Sequence, residues 1–125
     1  MILDTYAWVE FFKASKKGER VKDVLIKERC YTSVASLAEI VEWCLKNNLS
    51  HKIEEYIIKI KNGTIIIFLG DVISTLAGKL NYERKKISRD WGMVDSFILA
   101  SANLNNLKIL TGDKHFKDLS NVVML

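Results

Sequence analysis

Leu107-Lys108-Ile109-Leu110-Thr111-Gly112-Asp113 reads as a short strand that ends on a carboxylate, and Met1-Ile2-Leu3-Asp4 repeats the pattern at the start of the chain. Two further acids stand at similar breaks. Asp95 opens the helical stretch Asp95-Ser96-Phe97-Ile98-Leu99-Ala100-Ser101-Ala102. Glu39 interrupts the apolar run Ser36-Leu37-Ala38-Glu39-Ile40-Val41. A charge beside or inside a core-forming segment is costly unless something compensates it. Four carboxylates that converge compensate one another badly alone and well around a divalent cation. The pattern therefore points to a hard-cation site with oxygen ligands, and to phosphoryl chemistry.

The segments between these acids set the fold class. A buried strand over 1–4 is followed by a helix over 5–16, with Ala7, Trp8, Phe11 and Phe12 on one face. Lys16-Lys17-Gly18 is expected to break it before a second helix over 19–28. Cys30 to Thr32 reads as a strand. Ser33 is a candidate N-cap for a helix that Asn47-Asn48 ends. Ser50 is a candidate cap for a helix over 51–61, and the β-branched run from Thr64 to Leu69 is the clearest strand. Asp71 is expected to cap a helix from 72 into Glu83-Arg84-Lys85-Lys86, and a loop runs from Ile87 to Gly92. A helix over 93–105, a strand over 107–110, a helical turn near Asp113 and an edge strand over 121–125 complete the chain. Strands that alternate with helices imply an α/β class with a mainly parallel sheet flanked by helices in three layers. In such sheets, ligands collect beyond the carboxyl ends of strands. Asp4 and Asp113 sit at two such ends.

The 125 residues fit one domain, 1–125, with no linker, repeat or low-complexity tract. A hydrophobic fraction of 49% suffices for a core. No run reaches the roughly 18 uncharged apolar residues of a membrane span. No basic leader precedes the first strand, so we expect a cytoplasmic protein whose Cys30 and Cys44 are isolated, reduced thiols. Two scattered cysteines and two scattered histidines do not make a structural zinc site. The net charge is +4, and with the four acids set aside 19 basic residues face 11 remaining acids. A basic body around an acidic focus suits a polyanionic partner held through metal ions.

Each acid also has a plainer reading. Asp4 and Asp113 fit as helix caps, and Asp95 fits as a first-turn acid that favours the helix dipole. Glu39 is harder to place. Val34, Leu37, Ala38, Val41 and Leu45 form one apolar face of its helix, Ile40 and Trp43 add a second, and Glu39 lies between. The second face is a candidate dimer seam. His115 reads as a surface histidine in a turn, near enough to Asp113 to approach a site. Tyr82 to Arg89 holds Arg84, Lys85, Lys86 and Arg89, either as phosphate contacts or as a solvated helix end. No GxxxxGK[ST] or GxGxxG loop is present. Asp4-Thr5-Tyr6 lacks the second acid of the aspartate-nucleophile phosphatases, and no serine has a nucleophile-elbow context.

With these residues laid out, the chain resembles the PIN-domain proteins, and among them the VapC-like toxin ribonucleases of toxin–antitoxin systems. The resemblance spans almost the whole chain. It rests on Ile2-Leu3-Asp4-Thr5 with the aromatic helix Ala7 to Phe12, on Thr32 to Ile40, on Asp95 to Ala102, and on Leu110-Thr111-Gly112-Asp113-Lys114-His115-Phe116. Each motif alone is weak, and four in order are fairly specific. The resemblance implies a metal-dependent endoribonuclease that uses Mg²⁺ or Mn²⁺. The family's acids fall on Asp4, Glu39, Asp95 and Asp113, and its hydroxyl position falls on Thr111. RNA, a small antitoxin protein and a second copy of the chain are the implied partners. One departure stands out: Tyr6 occupies a position where a small Asn or Ser is common, which bears on substrate access. A PIN-type nuclease of RNA processing or DNA repair, and a catalytically impaired binding module, are the alternative functions.

Overall fold

The computed structural model describes all 125 residues. Five parallel strands form one sheet: β1 (Ile2–Leu3), β2 (Tyr31–Ser33), β3 (Ile65–Ile67), β4 (Ile109–Thr111) and β5 (Val122–Met124), in the order β3-β2-β1-β4-β5. Helices α1 (Thr5–Phe12), α2 (Lys16–Lys27), α3 (Val34–Lys46), α4 (Ile53–Gly63), α5 (Asp71–Ile87) and α6 (Met93–Leu104) connect them. No helix is long and apolar enough to cross a membrane.

Alternation along the strands gives each sheet face its own core. Leu3 and Leu110 face a cluster with Trp8, Val21, Ile40, Cys44 and Ile60, beneath α1 to α4. Ile2 and Ile109 face the opposite cluster with Trp91, Ile98, Leu99 and Phe116, beneath α5 and α6. This is the three-layer arrangement that a parallel sheet requires, because both of its faces must be covered. Burying Trp8 leaves an indole N–H to satisfy. It donates to Thr32 Oγ1 at 3.0 Å, and Thr32 and Thr64 join their hydroxyls at 2.8 Å.

Several expected boundaries shift. The first helix ends near Lys13, where Ala14 takes φ 53°, and Ser15 caps α2 by accepting from the Gly18 amide. Lys16-Lys17-Gly18 therefore begins a helix and does not break one. Gly18 stands there because α2 crosses α1 very closely: a Cβ at Gly18 would lie 2.1 Å from the Glu10 carbonyl oxygen. Neither Ser50 nor Asp71 caps a helix with its side chain; Ser50 opens a 3-10 turn, and Gly70 takes the cap position before α5. Ser33 and Asp4 cap as expected, accepting from the amides of Ala35 and Ala7. Cys30 and Cys44 are buried free thiols, and burial pushes both upward in pKa.

The faces of α3 are assigned differently from the sequence reading. Ile40 and Cys44 point into the core, with Leu37 and Trp43 packed against it. Ala38 and Leu45 lie on the outer side, Leu45 at 58% exposure. The apolar surplus that suggested a dimer seam is thus carried by Ala38, Val41 and Leu45, while Ile40 belongs to the core. Core packing sets the phase of the helix: Ile40 and Cys44 are four residues apart and stack on one line.

Candidate active site

The chain runs from β1 outward through β2 to β3, then returns to β4 on the other side of β1. The crevice between β1 and β4 is therefore the topological switch point of the sheet. Asp4 follows β1 and Thr111 ends β4, and register brings them side by side beyond the Leu3–Leu110 pair. Asp4 is 4% exposed. Its Oδ1 accepts the Ala7 amide at 2.9 Å, and its Oδ2 accepts the Thr111 hydroxyl. Thr111 Oγ1 in turn accepts the Asp113 amide at 2.9 Å. One threonine thus fixes the carboxylate of one strand and the backbone carrying the acid of the next.

The other acids arrive from helices and a turn. Asp95 lies in the first turn of α6, where its Oδ2 accepts the Gly92 amide at 3.0 Å. Asp113 caps the 3-10 turn Lys114–Phe116, accepting the His115 amide at 2.9 Å. The His115 ring closes on the same oxygen, with Nδ1 at 2.7 Å. Glu39 projects from α3 and accepts a hydrogen bond from the Thr5 hydroxyl.

The electrostatics tie the four acids together. Asp4 is pushed up to about 7, chiefly by burial, against the pull of its bonds from Thr111 and Ala7, with the charges of Asp113 and Asp95 adding to the rise. Asp95 is pushed up to about 6, again first by burial, with Asp113 and Glu39 raising it further and His115 opposing. Each acid thus lies within the field of at least one other, at one edge of the sheet. No three His, Cys, Asp or Glu side chains are drawn in around one shared point. The donor set nonetheless fits a hard divalent cation. It is entirely carboxylate, the acids repel one another, and each Asp4 oxygen keeps a lone pair beyond its existing bond.

Tyr6 lies at the rim. Its ring rests on Gly112, where an added Cβ would come within 2.2 Å of Tyr6 Cε1, and its hydroxyl accepts from Lys17 Nζ at 2.9 Å. Gly112 lacks a side chain because an aromatic ring takes the space.

The basic run divides. Lys85, Lys86 and Arg89 are exposed, whereas Arg84 is only 6% exposed. Its guanidinium makes a bidentate pair with Asp118 at 2.7 and 2.9 Å, donates to the His115 carbonyl at 2.7 Å, and stacks 4.5 Å from the Trp91 ring. Arg84 is therefore turned inward and does not join a solvent-facing phosphate contact; Asp118, just after the 3-10 turn Lys114–Phe116, holds it there. Thr5 is a site residue that the sequence reading missed. Nothing in its position marks it except its place directly after Asp4. His115 sits against the acid cluster, closer than a surface histidine in a turn.

No curated protein sequence matches the chain. Among solved structures it is similar to a toxin-antitoxin complex from Klebsiella pneumoniae, with TM-score 0.76, 19% identity, and 98% of this chain and 95% of that chain covered. It is also similar to VapBC2 from Rickettsia felis bound to a promoter DNA fragment, with TM-score 0.76, 19% identity and coverage of 99% and 96%. DNA-bound VapBC from Salmonella typhimurium matches with TM-score 0.76, 15% identity and coverage of 99% and 95%. At these identities the likeness is one of fold. A family model described as the PIN domain matches residues 1–122.

Proposed function

The chain belongs to the PIN domain family, and on that premise we propose that it is a Mg²⁺- or Mn²⁺-dependent endoribonuclease of the cytoplasm, the toxin of a toxin–antitoxin pair. PIN domains are nucleases, and the observation that carries the reading further is the mutual electrostatic influence of Asp4, Glu39, Asp95 and Asp113 at the switch point of the sheet. Four carboxylates held in one another's field are poorly arranged for stability and well arranged for a divalent ion.

In this reading Asp4, Asp95 and Asp113 hold the ion, with Glu39 as a fourth ligand or as the group that orients the attacking water. When bound, the ion stabilises charge on a phosphoryl oxygen and makes water a better nucleophile near neutral pH. The remaining work belongs to the chain. Thr111 and the Ala7 amide fix the plane of the Asp4 carboxylate. Thr5 steers Glu39. The Gly92 amide anchors Asp95, and His115 anchors Asp113. Tyr6, tied to Lys17, shapes the rim over which the strand enters. Single-stranded or looped RNA suits such an open edge, since its phosphates are accessible.

The similar toxin-antitoxin complex from Klebsiella pneumoniae supports a small antitoxin as a partner, and the VapBC2 structure with a promoter fragment supports promoter DNA as a ligand of the joint complex. A second copy of the chain is proposed to cover the outer α3 face of Ala38, Val41 and Leu45. Expression of the chain alone should arrest growth, and co-expression of the small reading frame beside its gene should relieve the arrest. An active, soluble enzyme with no effect on growth would favour a nuclease of RNA processing or DNA repair. Arrest that persists in Asp95→Asn would rule out cleavage as its cause.

A further inference from the structure

A cleft of about 380 Å³ lies between the end of α5 and the turn after Asp113, lined by Arg84, Ser88, Lys114, His115, Lys117 and Asp118. Its charge is one-sided. Arg84 and Asp118 neutralise one another in their bidentate pair. Lys114 and Lys117 are exposed, and neither takes part in an ion pair. Ser88 adds a hydroxyl at the wall.

The cleft is built on a fixed base. The buried Arg84 donates to the His115 carbonyl and so ties the lysine-bearing turn to the end of α5. Trp91 supports the guanidinium from below at 4.5 Å and packs against Phe116 of the same turn. The cleft also adjoins the acid cluster. His115 lines it while its Nδ1 stands 2.7 Å from Asp113 Oδ1, and Lys114 directly follows Asp113.

A positive cleft beside a negative one is what a polyanionic strand with one reacting phosphate needs. With a divalent ion bound, the acids would receive the phosphate that is cut, and a neighbouring phosphate would need cations of its own. Resting on the ribonuclease reading, we infer that this cleft binds an RNA phosphate flanking the scissile one, with Lys114 and Lys117 as positioning residues. Phosphate contacts of this kind set the register of a strand without reading its bases. Ile87 is the one apolar residue at the wall, so a protein side chain finds little to anchor on.

The test uses a fluorescein-labelled single-stranded oligoribonucleotide with Mg²⁺, on an Asp4→Asn background that blocks cleavage. Anisotropy is read across a salt series. The double substitution Lys114→Gln/Lys117→Gln should weaken binding several-fold and reduce the log–log salt slope by about 1.4, near 0.7 for each lost phosphate contact on a single strand. Lys114→Arg/Lys117→Arg should keep the slope. Lys59→Gln/Lys61→Gln on α4 should change neither quantity. With Asp4 intact, the Gln pair should raise KM and leave kcat within about twofold, because a flanking contact acts on binding more than on the chemical step. If the background chain binds RNA and the Gln pair alters neither affinity nor slope, the cleft is not a phosphate subsite and the ribonuclease reading stands. If the oligonucleotide is not bound even at low salt, both are overturned. Unchanged thermal unfolding of the Gln pair confirms that the fold is intact in either case.

Discussion

Thr111 donates its hydroxyl to Asp4 from the neighbouring strand, and the same oxygen accepts the amide of Asp113. Thr111 is fully buried, so no water stands in for it. Thr111→Val keeps the shape and removes both bonds. We expect a stability loss of about 1–3 kcal/mol, the cost of leaving buried polar groups unmatched. Nuclease activity should fall about 10–100-fold, the usual penalty for losing a group that orients a ligand. Chemical denaturation and a cleavage assay on the same protein check the two figures. Activity at the wild-type level would remove Thr111 from the site.

The raised pKa values of Asp4, about 7, and Asp95, about 6, carry a pH signature. An acid whose folded pKa lies above its unfolded value of 3.8 binds more protons when folded. Stability of the metal-free chain should therefore fall as pH rises from about 4 to about 7. Asp4→Asn should flatten that decline and be the more stable protein at pH 7.5 in chelator. Mg²⁺ or Mn²⁺ should restore stability to the wild type at that pH and do less for the variant. Urea midpoints across the range make the comparison. A wild-type midpoint that climbs between pH 5 and 7 in chelator would contradict the burial of these acids.

Arg84 illustrates how much the sequence conceals. Within Glu83-Arg84-Lys85-Lys86 nothing separates it from its neighbours. The tertiary fold does, by bringing Asp118, 34 residues away, to face it. Arg84→Lys should cost about 1–2 kcal/mol, since a lysine supplies one point charge where the site uses a planar fork stacked on an indole. Lys85→Gln should cost nothing measurable. Equal stability of the two variants would put Arg84 on the surface.

The strand-ending acids were legible because a buried carboxylate after an apolar run has few explanations, and because Ser33 and Asp4 obey capping rules that are local. The parallel sheet followed from the alternation of strands and helices. The α1–α2 corner was not legible. Gly18 reads as a breaker in one dimension, and its close approach to the Glu10 carbonyl exists only once two helices cross. The two faces of α3 were likewise assigned in the wrong phase, since both are apolar and only the position of the sheet decides which turns inward. Thr5 left no local mark of its bond to Glu39.

Gly112 and Tyr6 should be coupled. Gly112→Ala places a methyl within 2.2 Å of Tyr6 Cε1, so the ring must leave its seat at the rim. The substitution should destabilise the chain by about 1–3 kcal/mol, the usual range for overpacking. In a Tyr6→Ala background the same change should cost little more than nothing. A double-mutant cycle measures the interaction directly. Additive effects would mean that the ring does not rest on Gly112 in solution.

The most direct measurement is cleavage of a single-stranded RNA by the purified chain as a function of metal. Activity should be absent in excess chelator, return on titration with Mg²⁺ or Mn²⁺, and stay at background in Asp4→Asn and Asp95→Asn that unfold as cooperatively as the wild type. RNA cleavage undiminished by chelator, or retained in either variant, would contradict the assignment of the acid cluster as a metal-dependent nuclease site.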